Sequence, residues 1–170
     1  LTEGITTPTS TVLCPKTITV DGREFGNYAG ESLPGTPTFF KNFTVSCNTA
    51  FVSLADELAA DDLPNAARTL GIGAGWADTL GVADAFEGSV PPTTGGTDAA
   101  AASIGQGRIE VSPLALAVMS GSIGRGTFLA PVLFASLGNV EYPLAIVLAG
   151  LVRPPSDAVG VVRKRADGVW

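Results

Sequence analysis

Ser46 and Asn48 are the side chains of this 170-residue sequence best suited by type and spacing to do chemistry. They flank Cys47 in the run Thr38-Phe39-Phe40-Lys41-Asn42-Phe43-Thr44-Val45-Ser46-Cys47-Asn48-Thr49-Ala50-Phe51. A serine hydroxyl donates and accepts at once, and an asparagine amide offers one oxygen and two N–H donors. Such a pair can pass a proton and hold a peptide amide, but a nucleophile needs an activating base beside it. In isolation a Ser-x-Asn triplet reads as a helix cap; capping and catalysis are compatible at Asn48. The sequence has no histidine, which excludes histidine-based triads and the usual zinc sets. It also has no Ser-x-x-Lys: the residues three before Lys16, Lys41 and Lys164 are Leu13, Thr38 and Val161. Asp56, Glu57, Asp61 and Asp62 read as a solvated face rather than a metal site. Gly71-Ile72-Gly73-Ala74-Gly75 suggests a phosphate loop, but it follows a helical pattern and no Gly-Lys-Ser/Thr comes after it, so a helix cap and turn is the better reading.

These residues must be held by a chain with 45% hydrophobic and 15% charged residues, enough apolar material for a core. Its 21 glycines and 12 prolines imply many turns. A net charge of −6 argues against nucleic acid, whose phosphates require clustered Lys and Arg; the basic run Arg163-Lys164-Arg165 reads as an exposed tail. The longest apolar run, 142–152, is interrupted by a proline and falls short of the roughly 20 residues that cross a bilayer. The chain opens on Leu1-Thr2-Glu3-Gly4 with no signal-peptide pattern and reads as a soluble portion; in an exported protein the targeting segment would have been lost or would lie on a part outside this sequence. Cys14 and Cys47 can form one disulfide or remain two buried thiols.

Along the chain, residues 1–37 read as an irregular region outside the core, with a small hairpin turning at Asp21-Gly22 after Thr17-Ile18-Thr19-Val20. Residues 38–45 suit two helical turns broken at Ser46-Cys47-Asn48. From Thr49, apolar residues at 51, 52, 54, 55, 58 and 59 predict an amphipathic helix with Asn48, or alternatively Thr49, as N-cap. A short helix is expected over 63–70, stopped by Gly71, and a flexible loop over 88–100. Ser112-Pro113 opens a helix ending near Gly124-Arg125-Gly126. Residues 128–133 read as extended and 144–149 as a buried strand.

Ser46-Cys47-Asn48-Thr49-Ala50-Phe51 is followed by Leu70-Gly71-Ile72-Gly73, then Ser103-Ile104-Gly105-Gln106-Gly107, Ser112-Pro113-Leu114-Ala115-Leu116-Ala117 and Ser122-Ile123-Gly124-Arg125-Gly126-Thr127 with Pro131-Val132-Leu133. In order and spacing, over 36–133, these segments resemble the transpeptidase domain of penicillin-binding proteins around the second of its three motifs: Ser-x-x-Lys, Ser-x-Asn and Lys-Thr/Ser-Gly. Cys14 through Tyr28 is weakly similar to the segment before that motif. Lys16-Thr17-Ile18 is the nearest approach to the third motif, yet it lacks the glycine and precedes Ser46.

The resemblance implies an α/β fold of α+β type, the penicillin-binding-protein and β-lactamase-like arrangement of a five-stranded antiparallel sheet beside a helical lobe. Residues 1–170 would be a partial domain: 1–37 irregular, 38–133 the helical lobe, 134–170 a sheet strand and tail. It implies acyl transfer from peptidoglycan stem peptides ending in D-Ala-D-Ala, inhibition by β-lactam antibiotics, and no cofactor, metal or nucleic acid. Ser46 would relay a proton, Asn48 would hold the nucleophile's lysine and the substrate peptide, and Cys47 would point into packing. Gly105-Gln106-Gly107 is expected to be a turn without a direct role. The nucleophile would come from another segment or chain, so this chain alone would be inactive, and the location would be extracytoplasmic and membrane-anchored. The alternative is a non-catalytic scaffold that retains the helical lobe. Asn42-Phe43-Thr44 matches a glycosylation acceptor, which a bacterial origin makes irrelevant.

Overall fold

The computed structural model describes residues 3–82 and 84–132, together with the backbone of 134–137 and 140–143. Its described residues divide into two compact units, one formed by those up to 68 together with 88–111, the other by those within 69–87 and from 112 onward.

The first unit begins with an antiparallel hairpin of β1 (Thr17–Val20) and β2 (Arg23–Gly26), with Val20 opposite Arg23. Asp21 and Gly22 both have positive φ, 48° and 79°, as a tight two-residue hairpin turn of matching twist requires. The hairpin is not peripheral, contrary to the sequence reading. Phe25 is buried against Val52, Ala100 and Ala101, with Ile18, Val20 and Ile104 packed around them. A four-residue strand cannot bury a face alone, so the hairpin takes its core from segments distant in sequence.

Helices α1 (Phe39–Thr44) and α2 (Asn48–Val52) follow, broken where expected. Thr38 caps α1 by accepting the Lys41 N–H at 3.2 Å. The amphipathic pattern after Thr49 does not continue as one helix. α2 stops at Val52, Leu54 leads into a 3-10 turn over Ala55–Glu57, and Leu58 is extended. Ser53 turns its hydroxyl back to the Ala50 carbonyl at 2.9 Å, a local bond that competes with helix propagation.

Helix α3 (Asp62–Thr69) matches the expected short helix. In the acidic group, Asp62 accepts the Ala59 N–H at 2.8 Å, while Asp56, Glu57 and Asp61 are exposed.

Within the first unit, the stretch expected to be a loop over 88–100 contains the start of α5 (Gly96–Ala102), after α4 (Ala77–Leu80) of the second unit. Ala99, Ala100 and Ala101 are all buried. A run of alanines has high helix propensity but no polar contrast, so no periodicity marks it. Gly105 and Gly107, with φ of 71° and 76°, make the turn that ends this helix, and Gln106 is exposed. Arg108 then returns to Asp98 through Nε–Oδ1 (3.0 Å) and Nη2–Oδ2 (2.6 Å) contacts, and also donates to the Pro92 carbonyl.

The second unit is built on α6 (Pro113–Arg125). Ser112 caps it as expected, accepting the Ala115 N–H at 3.0 Å and donating to the Phe86 carbonyl at 2.6 Å; Gly126 closes it with φ 81°. Ala115 and Val118 pack with Trp76 and Leu80. The Trp76 indole N–H donates to the Gly71 carbonyl at 2.6 Å. The N–H groups of the glycine-rich turn are engaged by a carboxylate of the chain itself. The Glu87 carboxylate accepts the N–H groups of Gly75 and Ala77, the latter at 2.6 Å. Residues 128–132 have no regular pairing. β3 (Phe134–Leu137) and β4 (Val140–Pro143) pair antiparallel, and the strand expected over 144–149 lies outside the described residues.

Candidate functional site

The break between α1 and α2 is a helix C-terminal motif closed by two reciprocal backbone bonds. Cys47 N–H bonds to the Asn42 carbonyl at 2.9 Å, and Ser46 N–H to the Phe43 carbonyl at 3.1 Å. The residue between them in such a motif sits in the left-handed region, and here that residue is Ser46, with φ 57°. Glycine is the usual occupant because a Cβ crowds the carbonyl there. Ser46 is exposed, and its hydroxyl bonds to none of the described residues. On the helical flanks of the turn, Phe39 packs on Phe51 with ring centres 5.1 Å apart.

Cys47, 1% exposed, points into the interior as expected. Its sulfur is joined to Cys14, which settles the two-cysteine question in favour of the disulfide. Ala50, Val12 and Leu33 pack around the pair, and Cys14 also bridges to Leu33 through the backbone.

Asn48 does not cap α2. Cys47 occupies the N-cap position but makes no side-chain bond to the helix N–H groups, its sulfur being joined to Cys14 and in contact with the Thr49 hydroxyl at 3.3 Å. Asn48 is already the first helical residue, half-buried, with its Nδ2 donating to the Gly26 carbonyl at 3.2 Å. That bond fixes the amide orientation. Its oxygen is left without a donor among the described residues, and the second N–H is free to point elsewhere.

The missing cap comes from Asn27, a residue the sequence reading did not single out. Its Oδ1 accepts the Thr49 N–H at 3.0 Å, and its Nδ2 donates to the carbonyls of Pro15 (2.8 Å) and Glu31 (2.9 Å). The Thr49 hydroxyl donates to Pro15 as well, at 2.7 Å. A single asparagine after a strand carries no local signal for this role. A small pocket beside Ser46 is lined by Asn27, Tyr28, Glu31, Ser32 and both cysteines.

Asn42 is fully buried and donates to the Val12 carbonyl at 2.6 Å, so the acceptor-like Asn42-Phe43-Thr44 is inaccessible to modification. Its Oδ1 has no partner among the described residues. Gly105-Gln106-Gly107 forms a turn in the same unit as Ser46, with no bond to the triplet.

The arrangement presents an exposed hydroxyl and an oriented amide on a covalently anchored turn, with no nucleophile–base pair beside them among the described residues. The chain is 34% identical over 169 residues to peptidoglycan D,D-transpeptidase PbpA of Mycobacterium tuberculosis, a match covering 94% of this chain and 31% of that protein. The chain thus spans about a third of the length of this relative. Its fold superposes on penicillin-binding protein A of M. tuberculosis in the imipenem acyl-enzyme complex with a TM-score of 0.71 and 27% identity, covering 88% of this chain and 39% of that one. Penicillin-binding protein PBP2 of Helicobacter pylori, solved with MreC, shares the fold at a TM-score of 0.65 and 20% identity, covering 85% of this chain and 29% of that one. The helices and short strands are therefore part of the α/β fold of penicillin-binding transpeptidase domains. With residues 1–162 matching the penicillin binding protein transpeptidase domain, the chain belongs to that family.

Proposed function

We propose that this chain is the Ser-x-Asn portion of a serine-type D,D-transpeptidase that cross-links peptidoglycan. In the reaction, a serine of a Ser-x-x-Lys motif outside these 170 residues attacks the penultimate carbonyl of a stem peptide ending in D-Ala-D-Ala. The lysine takes the serine proton, the C–N bond breaks and D-alanine leaves. An amine of a neighbouring stem peptide then resolves the acyl-enzyme. Ser46 relays the proton towards the leaving nitrogen. The Asn48 oxygen accepts from the lysine ammonium, and its second N–H holds the substrate peptide. β-Lactams acylate the same external serine.

One observation carries this reading. Ser46 occupies a left-handed position that glycine would fill with less strain, and it holds its hydroxyl exposed there. A hydroxyl presented on such a fixed turn, with no partner taken up among the described residues, suits a proton relay. The domain would run through 1–170, with 38–133 as helical lobe and 134–170 contributing sheet. The whole protein would be extracytoplasmic, anchored through a segment outside this sequence.

Fluorescent penicillin tests the reading. The full-length protein is expected to form a covalent adduct, and the isolated 170 residues none. Labelling of the isolated chain would show that the nucleophile lies within it. A full-length protein with no Ser-x-x-Lys and no labelling would instead support the non-catalytic scaffold.

A further inference from the structure

We propose that Asn27 is a positioning residue for the Ser46–Asn48 wall, an inference that rests on the function proposed above. The N-terminus of a helix leaves backbone N–H groups without partners, and the residue before it normally supplies one acceptor. Here that residue is Cys47, whose side chain is consumed by the bond to Cys14. Asn27 supplies the acceptor from 22 residues away, at 3.0 Å from the Thr49 nitrogen.

The position suits an amide and little else. One side of Asn27 faces an N–H donor, that of Thr49; the other faces two carbonyl acceptors, those of Pro15 and Glu31. A carboxylate satisfies the first side only, and an aliphatic side chain neither. The preceding residue, Gly26, takes the Asn48 side-chain N–H at 3.2 Å. The dipeptide Gly26-Asn27 therefore fixes both the start of α2 and the rotation of the Asn48 amide. Asn27 also lines the pocket that contains Ser46. It reaches no reacting group itself and acts by holding the residues that do.

The test uses the full-length protein and the rate constant for acylation by a fluorescent penicillin, with Tm measured alongside. Ser46→Ala is expected to slow acylation about 10²-fold, the order expected for loss of a proton-transfer group. Asn27→Ala is expected to slow it about 10-fold while leaving the dissociation constant of the initial non-covalent complex within about 2-fold. In the Ser46→Ala background, Asn27→Ala is expected to add a smaller loss than in the parent, because the Ser46 part of the wall is already disabled and only the Asn48 part remains to be disturbed. Asn27→Asp keeps the acceptor for Thr49 but sets its second oxygen against the Pro15 and Glu31 carbonyls, and is expected to lose about 3- to 5-fold, less than Asn27→Ala.

A parent-like rate in Asn27→Ala, or an equal loss in both backgrounds, overturns the positioning role. Should Asn27→Ala not fold, Asn27→Asp decides. A protected Thr49 amide in hydrogen exchange with a loss of no more than about 5-fold supports the role, and a protected amide with a loss of about 10-fold or more overturns it. A Ser46→Ala variant that acylates at the parent rate overturns the proposed function instead, a separate result.

Discussion

Cys47 is covalently joined to Cys14, 33 residues earlier, with Cα atoms 6.1 Å apart. The middle residue of the triplet is thereby anchored while its two neighbours remain available. Closing a loop of that length removes unfolded-state entropy worth about 3–4 kcal/mol in the chain-entropy account. Cys14→Ser, or reduction with a thiol, is expected to lower unfolding free energy by about that amount. Urea titrations with and without reductant measure it; coincident curves with the bond verified by intact mass would contradict the expectation.

Ser46 carries the opposite tension, between stability and function. Ser46→Gly relieves the left-handed strain and is expected to stabilise the fold by about 1 kcal/mol. The same change is expected to slow acylation of the full-length protein about 10²-fold. Thermal unfolding and penicillin labelling on one preparation read both effects. A Ser46→Gly variant less stable than the parent would mean that the serine side chain contributes to the turn.

Gly71 is required by space as well as by conformation. Its φ is 94°, and a Cβ there would lie 2.6 Å from Val118 Cγ1 and 2.8 Å from the Phe128 ring. Its carbonyl also holds the buried indole of Trp76. Gly71→Ala is expected to cost about 2–4 kcal/mol through strain and overpacking. The loss would appear in urea unfolding followed by Trp fluorescence, and a Gly71→Ala protein within experimental error of the parent would refute it.

Asp98 makes the first unit sensitive to acid. Hydrogen bonds from Arg108, then from the Thr94 N–H, hold its carboxyl well below the usual carboxylate range. Because the folded value is the depressed one, the stabilisation is full above the ordinary value of about 3.9 and fades as pH falls towards the folded value. Asp98→Asn is expected to flatten the acid limb of a Tm-versus-pH curve between about pH 5 and pH 2. The change is modest and shrinks with salt, since the Arg108 side chain is half exposed. An unchanged acid limb would remove Asp98 as its cause.

Several elements were legible because their causes are local. The turn at Asp21-Gly22, the cap at Ser112 with Pro113 behind it, and the stop at Gly126 each depend on the conformational limits of a few adjacent residues. The alanine helix 96–102 was not legible, since its burial comes from Phe25 and Val52 rather than from any pattern of its own. The continuous helix expected after Thr49 failed because apolar spacing records which residues are buried, not whether the backbone bonds run unbroken.

The sequence by itself determined the family, the Ser46-Cys47-Asn48 triplet and the absence of Ser-x-x-Lys, because these are matters of residue identity and order. Only the tertiary structure decided how the triplet is held. A disulfide took the N-cap side chain out of use, which left Asn48 free to orient its amide on Gly26 and required Asn27 to cap Thr49. Hydrogen bonds between residues 22 apart depend on where the chain returns, and short-range propensities do not encode that return.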